Sequence, residues 1–363
     1  MSEPAHTPAQ SDNEAASKDG GGSRARWLNF ASWGVSAAAL AYVLSRLRLS
    51  EFGKDVSGIN WWLVVLAVFI EIVPRLLEAG RWQYLLRPLH MRFGRLLQAI
   101  YVGTLYSGVL PLPVGDAVRG LMVARRAGIS LIRVFSTELI ERVADAIALI
   151  LVVSFTLRGL NIPFALRIAL AVLEVGVGLA IVTGLVMAAQ HVSLQDHLQA
   201  WKPSGRSTRG MRSVGLDLIE TLGRVRVQAM LVVIAAALAA AALNITAYWL
   251  ILRAYHINLS PLHAAALFAI VMIGTILPGT PGNIGSWPFF CVLGLQLFGV
   301  SAARAAGFSL IAYVIWTVPP VLMGFGTLLT SSFRWSDLRT GRRELAVLRD
   351  EAVRGEGNGP ADA

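Results

Sequence analysis

Long apolar runs alternate with shorter polar segments along almost the whole chain. Six of these runs are long enough for a helix that crosses the roughly 30 Å hydrocarbon core of a bilayer. They are residues 27–45, 61–80, 134–157, 164–189, 227–252 and 306–330. The pattern predicts an all-α polytopic membrane protein with about six spanning helices.

Composition supports this fold class. The chain is 55% hydrophobic and 15% charged, whereas soluble domains have about 25% charged residues. The net charge is +10, but the arginines lie between the apolar runs. Arginines in such positions set the membrane topology and contact lipid headgroups. No nucleic-acid partner is therefore expected. The single cysteine, Cys291, excludes an internal disulfide and a cysteine-based metal cluster.

Charge in the polar segments predicts the orientation. Basic segments 81–95, 119–133 and 190–226 are expected in the cytoplasm by the positive-inside rule. We predict a disordered cytoplasmic tail, a membrane domain and a basic cytoplasmic tail, at residues 1–26, 27–331 and 332–363. Both termini would then lie on the cytoplasmic side of the cell membrane.

Two proline- and glycine-rich stretches interrupt the apolar pattern: SGVLPLPVGDAVRG at 107–120 and GTILPGTPGNIGSWP at 274–288. The first lies between two basic segments that are both predicted to be cytoplasmic. Residues 96–118 would therefore enter the membrane and return to the same side as a re-entrant hairpin. The alternative is that both stretches are exposed loops between complete helices.

Landmarks around the two stretches indicate an internal duplication. Arg87 precedes Pro111 by 24 residues and Arg253 precedes Pro278 by 25, while GISLIRV and GVSAARA follow in matching order. The predicted halves, 27–157 and 164–330, each contain three spans and one hairpin. An odd number of spans inverts the second half, as in many transporters with a binding site near the midplane.

Charged residues inside predicted spans are expensive and should face a cavity or one another. Glu71, Arg75 and Glu78 are spaced to share one helix face, and Pro74 should kink that helix. A second face is expected to carry four charged residues: Glu138, Glu141, Arg142 and Asp145. Arg142 would pair with Glu138 and Asp145 on its own helix. The alternative is a self-neutralised helix that only packs against its neighbours.

The stretches LPLPVGDAVRG, ELIERVAD and LPGTPGNIG together resemble the lysylphosphatidylglycerol synthase transmembrane-region family, also called the flippase-like domain family. The positions that match its first signature are Leu110, Pro111, Gly115, Asp116, Arg119, Glu141, Arg142 and Asp145. Those that match its second signature are Leu277, Pro278, Pro281, Gly282 and Gly285. Asp116 replaces the more usual Glu, and Pro288 stands where the family often has an acid, which puts ion coupling in doubt.

The resemblance implies a membrane protein similar to the part of aminoacyl-lipid synthases that moves lipid between leaflets. The tail after residue 333 is too short for the soluble aminoacyltransferase domain of those synthases. We expect a phospholipid or polyprenyl-type lipid as substrate, a separate lipid-modifying enzyme as a candidate partner, and no cofactor or metal.

A lipid translocase is the leading hypothesis. Arg119 and Arg142 would bind the lipid phosphate through their planar guanidinium groups. The nearby carboxylates would orient these arginines or bind a cationic headgroup; they are Asp116, Glu138, Glu141 and Asp145. Two alternatives remain open: a membrane-embedded transferase that acts on a lipid phosphate, with carboxylates as base or metal ligands, and a transporter for a small soluble solute.

Overall fold

The computed structural model describes residues 33–87, 89–109, 114–129, 131–159, 227–276 and 281–330, with nine further positions between 167 and 179. Within this part of the chain the regular structure is helical and contains no strand. The predicted tails, Leu110, Pro111, Leu277, Pro278 and most of the run 164–189 lie outside the described residues.

The first group of helices begins with α1, described over residues 33–46. It continues with α2 (Leu49–Ser57), α3 (Trp61–Leu85), α4 (Phe93–Val109), α5 (Val114–Ala127) and α6 (Leu131–Gly159). The second group comprises α7 (Val227–Ala254), α8 (Pro261–Ile276), a 3-10 turn (Pro281–Asn283), α9 (Ser286–Leu297) and α10 (Ala302–Thr330). Five of the six predicted apolar runs therefore coincide with helices.

The same order of helix lengths occurs twice: long, short, short, long. The 17 residues of α4 and the 16 of α8 give helices of about 25 Å at 1.5 Å per residue, which is less than the roughly 30 Å core of a bilayer. The first short pair is separated by residues 110–113, where two prolines disfavour helix continuation. Each short pair packs together, α4 on α5 and α8 on α9.

Two described helices are long and apolar enough to cross a membrane, Gln228–Ala254 and Ala302–Thr330. Helix α3 is also long, but the ionisable residues Glu71, Arg75, Glu78 and Arg81 interrupt its apolar sequence. Large apolar side chains are exposed along the long helices, among them Phe69, Phe155, Leu231, Leu322 and Leu329. Such surface is typical of a protein that packs against lipid.

Helices α3 and α7 lie antiparallel and pack along their length. At one end the backbone N–H of Asn60 donates to the carbonyl of Ala254 at 3.0 Å, joining the start of α3 to the end of α7. At the other end Leu85 packs against an apolar cluster formed by Ala144, Ala148, Val233 and Ala237. The many alanines of α7 permit this close approach.

Two further contacts between the groups are reciprocal. Helix α4 packs on α10, and α8 packs on α6. The end of α4 meets the 3-10 turn of the second group: a Cβ added at Gly282 would lie 3.3 Å from the carbonyl oxygen of Gly108. The end of α4 and the 3-10 turn therefore lie close together.

Candidate functional site: a buried charge cluster

Nine charged side chains on α3, α5 and α6 join in a network of ion pairs that we call the charge cluster, and a tenth, Glu71, lies beside them. The cluster comprises Arg75, Glu78, Arg81, Asp116, Arg119, Glu138, Glu141, Arg142 and Asp145. Because of their helical spacing, the charged residues of each helix lie on one face of that helix. Packing of the three helices then brings these faces together.

Arg119 is the centre of the cluster. Its side chain is only 6% exposed, and its three nitrogens donate to Glu78 at 2.5 Å, Glu138 at 3.0 Å and Glu141 at 3.5 Å. The guanidinium carbon also lies 4.9 Å from the centre of the Trp82 ring. Arg119 is therefore saturated with protein contacts, and the prediction that it binds a phosphate directly gains no support from this geometry.

Arg81 is a member of the cluster that the sequence analysis missed. Its guanidinium forms a bidentate ion pair with Asp145, in which Nη1 donates to Oδ1 at 2.5 Å and Nη2 donates to Oδ2 at 3.3 Å. The Nε atom lies 3.6 Å from Oε1 of Glu141. The assignment of Arg81 to a cytoplasmic loop is wrong because α3 continues to Leu85 and buries this side chain. Its position three residues after Glu78 was the available signal.

Arg142 lies at the exposed edge of the cluster. Its side chain is 58% exposed, and Nη2 donates to Asp116, itself 42% exposed, at 2.6 Å. Helical spacing predicts that Arg142 pairs with Glu138 and Asp145, but these carboxylates contact Arg119 and Arg81 instead. Helix α6 is therefore neutralised by α3 and α5 rather than by its own arginine.

Glu71 is the tenth side chain and stands apart from these pairs. Arg75 Nη1 donates to Glu78 at 3.1 Å, whereas Glu71 Oε2 is buried without a hydrogen-bond partner. Glu71 and Arg75 face a crevice between α3, α4 and α10. The three α3 residues predicted to share one face thus divide between two environments.

Formal charges across the ten side chains do not cancel. Six carboxylates and four arginines give a formal charge of −2 when all are ionised. Each of the four arginines is paired with at least one carboxylate, and Arg142 is the most exposed of the four. Within the described residues no group of three or more His, Cys, Asp or Glu side chains is arranged to hold a metal ion.

The predicted hairpin residues within the described structure occupy close contacts between backbones. In the first hairpin, Gly115 packs so closely on α4 that an added Cβ would overlap the carbonyl oxygen of Gly103. In the second, Gly282 has a φ of 63° and accepts a hydrogen bond from the Tyr313 hydroxyl at 2.7 Å. Pro281 begins the same turn, and Gly285 packs on the backbone of Ser36 in α1.

Comparison with known protein families decides the identity of the chain. The model of the lysylphosphatidylglycerol synthase TM region matches residues 29–324. The chain belongs to this family. No curated protein matches it. Family membership and the apolar helices together establish a membrane protein related to lipid handling, and residues 29–324 include the whole charge cluster.

Proposed function

We propose that this member of the lysylphosphatidylglycerol synthase TM region family moves a phosphate-bearing lipid between the leaflets of the cell membrane. One observation carries the proposal: a large set of charged side chains is gathered inside an apolar helical protein, with an arginine at its exposed edge. Charges are costly inside a membrane, so groups retained there mark a path for a polar ligand.

Arg142 is the residue we assign to the lipid phosphate. Its partner Asp116 is also partly exposed, so an arriving phosphate can replace this carboxylate without uncovering a buried charge. The planar guanidinium then donates two hydrogen bonds to phosphate oxygens. Arg119 and Arg81 act as positioning residues that fix the carboxylates of α6, including the helix turn that carries Arg142.

An inverted repeat supplies the two-sided access that translocation needs. Three features support it: antiparallel α3 and α7, reciprocal packing of α4 on α10 and α8 on α6, and the recurring order of helix lengths. A two-fold axis in the membrane plane relates halves in this way. Our proposal retains about six spans, two re-entrant helix pairs and cytoplasmic termini.

The substrate class in this proposal is a phospholipid or polyprenyl-type lipid. Its headgroup enters the polar region while the acyl chains stay in the bilayer. A separate lipid-modifying enzyme would supply or consume the lipid, because a translocase changes the leaflet of its substrate and leaves the covalent structure intact.

Lipid movement in reconstituted liposomes tests the proposal. Arg142→Ala removes a charge-assisted hydrogen bond of about 1.5–3 kcal/mol, so transfer of a headgroup-labelled phospholipid should slow by roughly tenfold or more. Arg87→Ala is the matched control because Arg87 is exposed and its guanidinium lies over the Tyr84 ring, 4.9 Å from the ring centre. Unchanged transfer by the folded Arg142 variant would contradict the assignment.

Two further measurements separate the alternatives. A transferase predicts that a chemical species disappears from the lipid extract of cells lacking the gene, whereas a translocase predicts an altered leaflet distribution of existing lipids. A solute transporter predicts uptake into liposomes that contain no candidate lipid substrate.

A further inference from the structure

A second polar site lies outside the charge cluster, in the crevice between α3, α4 and α10. This crevice has room for about one water molecule. Its lining includes Glu71, Arg75, Tyr101, Ile315, Pro319 and Pro320. Because α10 belongs to the second group of helices and α3 and α4 to the first, the crevice lies at the junction of the two groups.

Three buried polar atoms at this crevice have no hydrogen-bond partner in the structure: Glu71 Oε2, Arg75 Nε and the Tyr101 hydroxyl. Two of the three residues are buried as a whole, Tyr101 at 4% exposed and Glu71 at 7% exposed. A buried polar atom without a partner costs about 1–3 kcal/mol, and more when it is charged. Convergence of three such atoms on one small space indicates a small ligand.

The chemistry of the lining favours a proton over a metal cation. Hard metal cations need several oxygen ligands, whereas this crevice offers the Glu71 carboxylate and the Tyr101 hydroxyl beside a cationic guanidinium. A proton needs only the carboxylate and removes its charge. We propose that Glu71 is a proton-binding site between the two groups of helices, and that its occupancy controls how closely α10 packs against α3 and α4.

Prolines inside two helices supply the required movement. Pro319 and Pro320 lie within α10 beside the crevice, and Pro74 lies within α3 between Glu71 and Arg75. Each proline removes a backbone donor and weakens one helical turn. When Glu71 is neutral, the apolar α10 lining can close over it. When Glu71 is ionised, its charge requires water and the crevice opens.

The charged and titratable side chains around Glu71 lie on three helices. Arg75 follows on α3 and is paired to Glu78, Tyr101 lies on α4, and Tyr248 lies on α7. The described α10 residues that line the crevice are apolar. Glu71 is therefore the only carboxylate among the described crevice residues, which makes a residue-specific test feasible.

A hydrophobic carbodiimide tests proton binding directly on the full-length protein in lipid nanodiscs. The reagent adds to a protonated carboxyl: the acid proton moves to a reagent nitrogen, the carboxylate oxygen bonds to the central carbon, and nothing leaves. Peptide mass spectrometry should place the adduct on Glu71. The protonated fraction falls about tenfold per pH unit above the titration midpoint, so for any midpoint up to about pH 8 we expect at least about tenfold less adduct at about pH 9 than at about pH 6.

Variants make the assignment specific. Glu71→Gln should lose the adduct, and Glu71→Asp should retain it. Glu174→Gln is the matched control, since Glu174 receives a hydrogen bond from Ser154 away from the crevice and its replacement should leave the Glu71 adduct unchanged. Absence of a Glu71 adduct in the wild type, or equal labelling at both pH values, would overturn the proposal.

A second readout connects the site to transport and rests on the proposed lipid translocation. A pH gradient across proteoliposomes should change the transfer rate of wild type but leave the Glu71→Gln rate unaffected. A gradient effect that persists in Glu71→Gln would also overturn the proposal. Labelling needs no lipid transfer, so failure of the proposed function and failure of proton binding give different results.

Discussion

Arg119→Met removes the cation that three carboxylates share, and it should destabilise the protein severely. The side chain of Arg119 is 6% exposed and donates to Glu78, Glu138 and Glu141. Methionine can fill much of the space but leaves these acids facing one another without their common partner. Breaking a buried ion pair by removal of one partner costs about 3–5 kcal/mol, so we expect a loss in that range.

Equilibrium unfolding of the purified protein in detergent micelles measures this loss. Arg142→Ala provides the comparison: its ion pair with Asp116 is largely exposed, and exposed pairs contribute about 0–1 kcal/mol. We therefore expect a stability difference of at least about 2 kcal/mol between the two variants. If Arg119→Met unfolds within about 0.5 kcal/mol of wild type, the cluster is not held by Arg119 and our account of it is refuted.

Three other substitutions test the helix contacts that position the site. Gly115→Ala should destabilise the protein by about 1–3 kcal/mol because the new Cβ would overlap the α4 backbone. Gly94→Ala is the control, since no atom lies within 4 Å of its new Cβ, and it should cause no measurable loss. Thermal unfolding distinguishes the two variants. Gly282→Ala should destabilise by about 1 kcal/mol or more because φ is 63° there, and wild-type stability would contradict the turn geometry. Tyr313→Phe should cost about 1 kcal/mol through loss of its hydrogen bond to Gly282, and an unchanged denaturation midpoint would exclude that bond.

Local periodicity was sufficient to predict several features of this protein. The apolar runs predicted the long helices α3, α6, α7 and α10, because a membrane-length apolar segment satisfies its own backbone hydrogen bonds only as a helix. The prolines of residues 107–120 predicted a break, and within this stretch α4 ends at Val109 and α5 begins at Val114. The family resemblance, drawn from short motifs, was confirmed over residues 29–324.

Local residue spacing could not predict which ion pairs form between different helices. Arg142 was assigned to its own helix because Glu138 and Asp145 lie at helical spacing from it, yet Arg119 and Arg81 approach those carboxylates more closely. Arg81 was missed because the last turns of α3 are polar enough to resemble a loop. Glu71 and Glu78 follow the same spacing rule but face different neighbouring helices.

The sequence by itself therefore determined where most of the long helices lie, which helix faces carry most of the charge, and where two breaks interrupt the pattern. Only the tertiary structure decided that Arg119 holds Glu78 from 41 residues away and that Arg81 holds Asp145 from 64 residues away. The reason is physical: helical periodicity depends on neighbours within two turns of the chain, whereas the partner of a buried charge depends on which faces pack together.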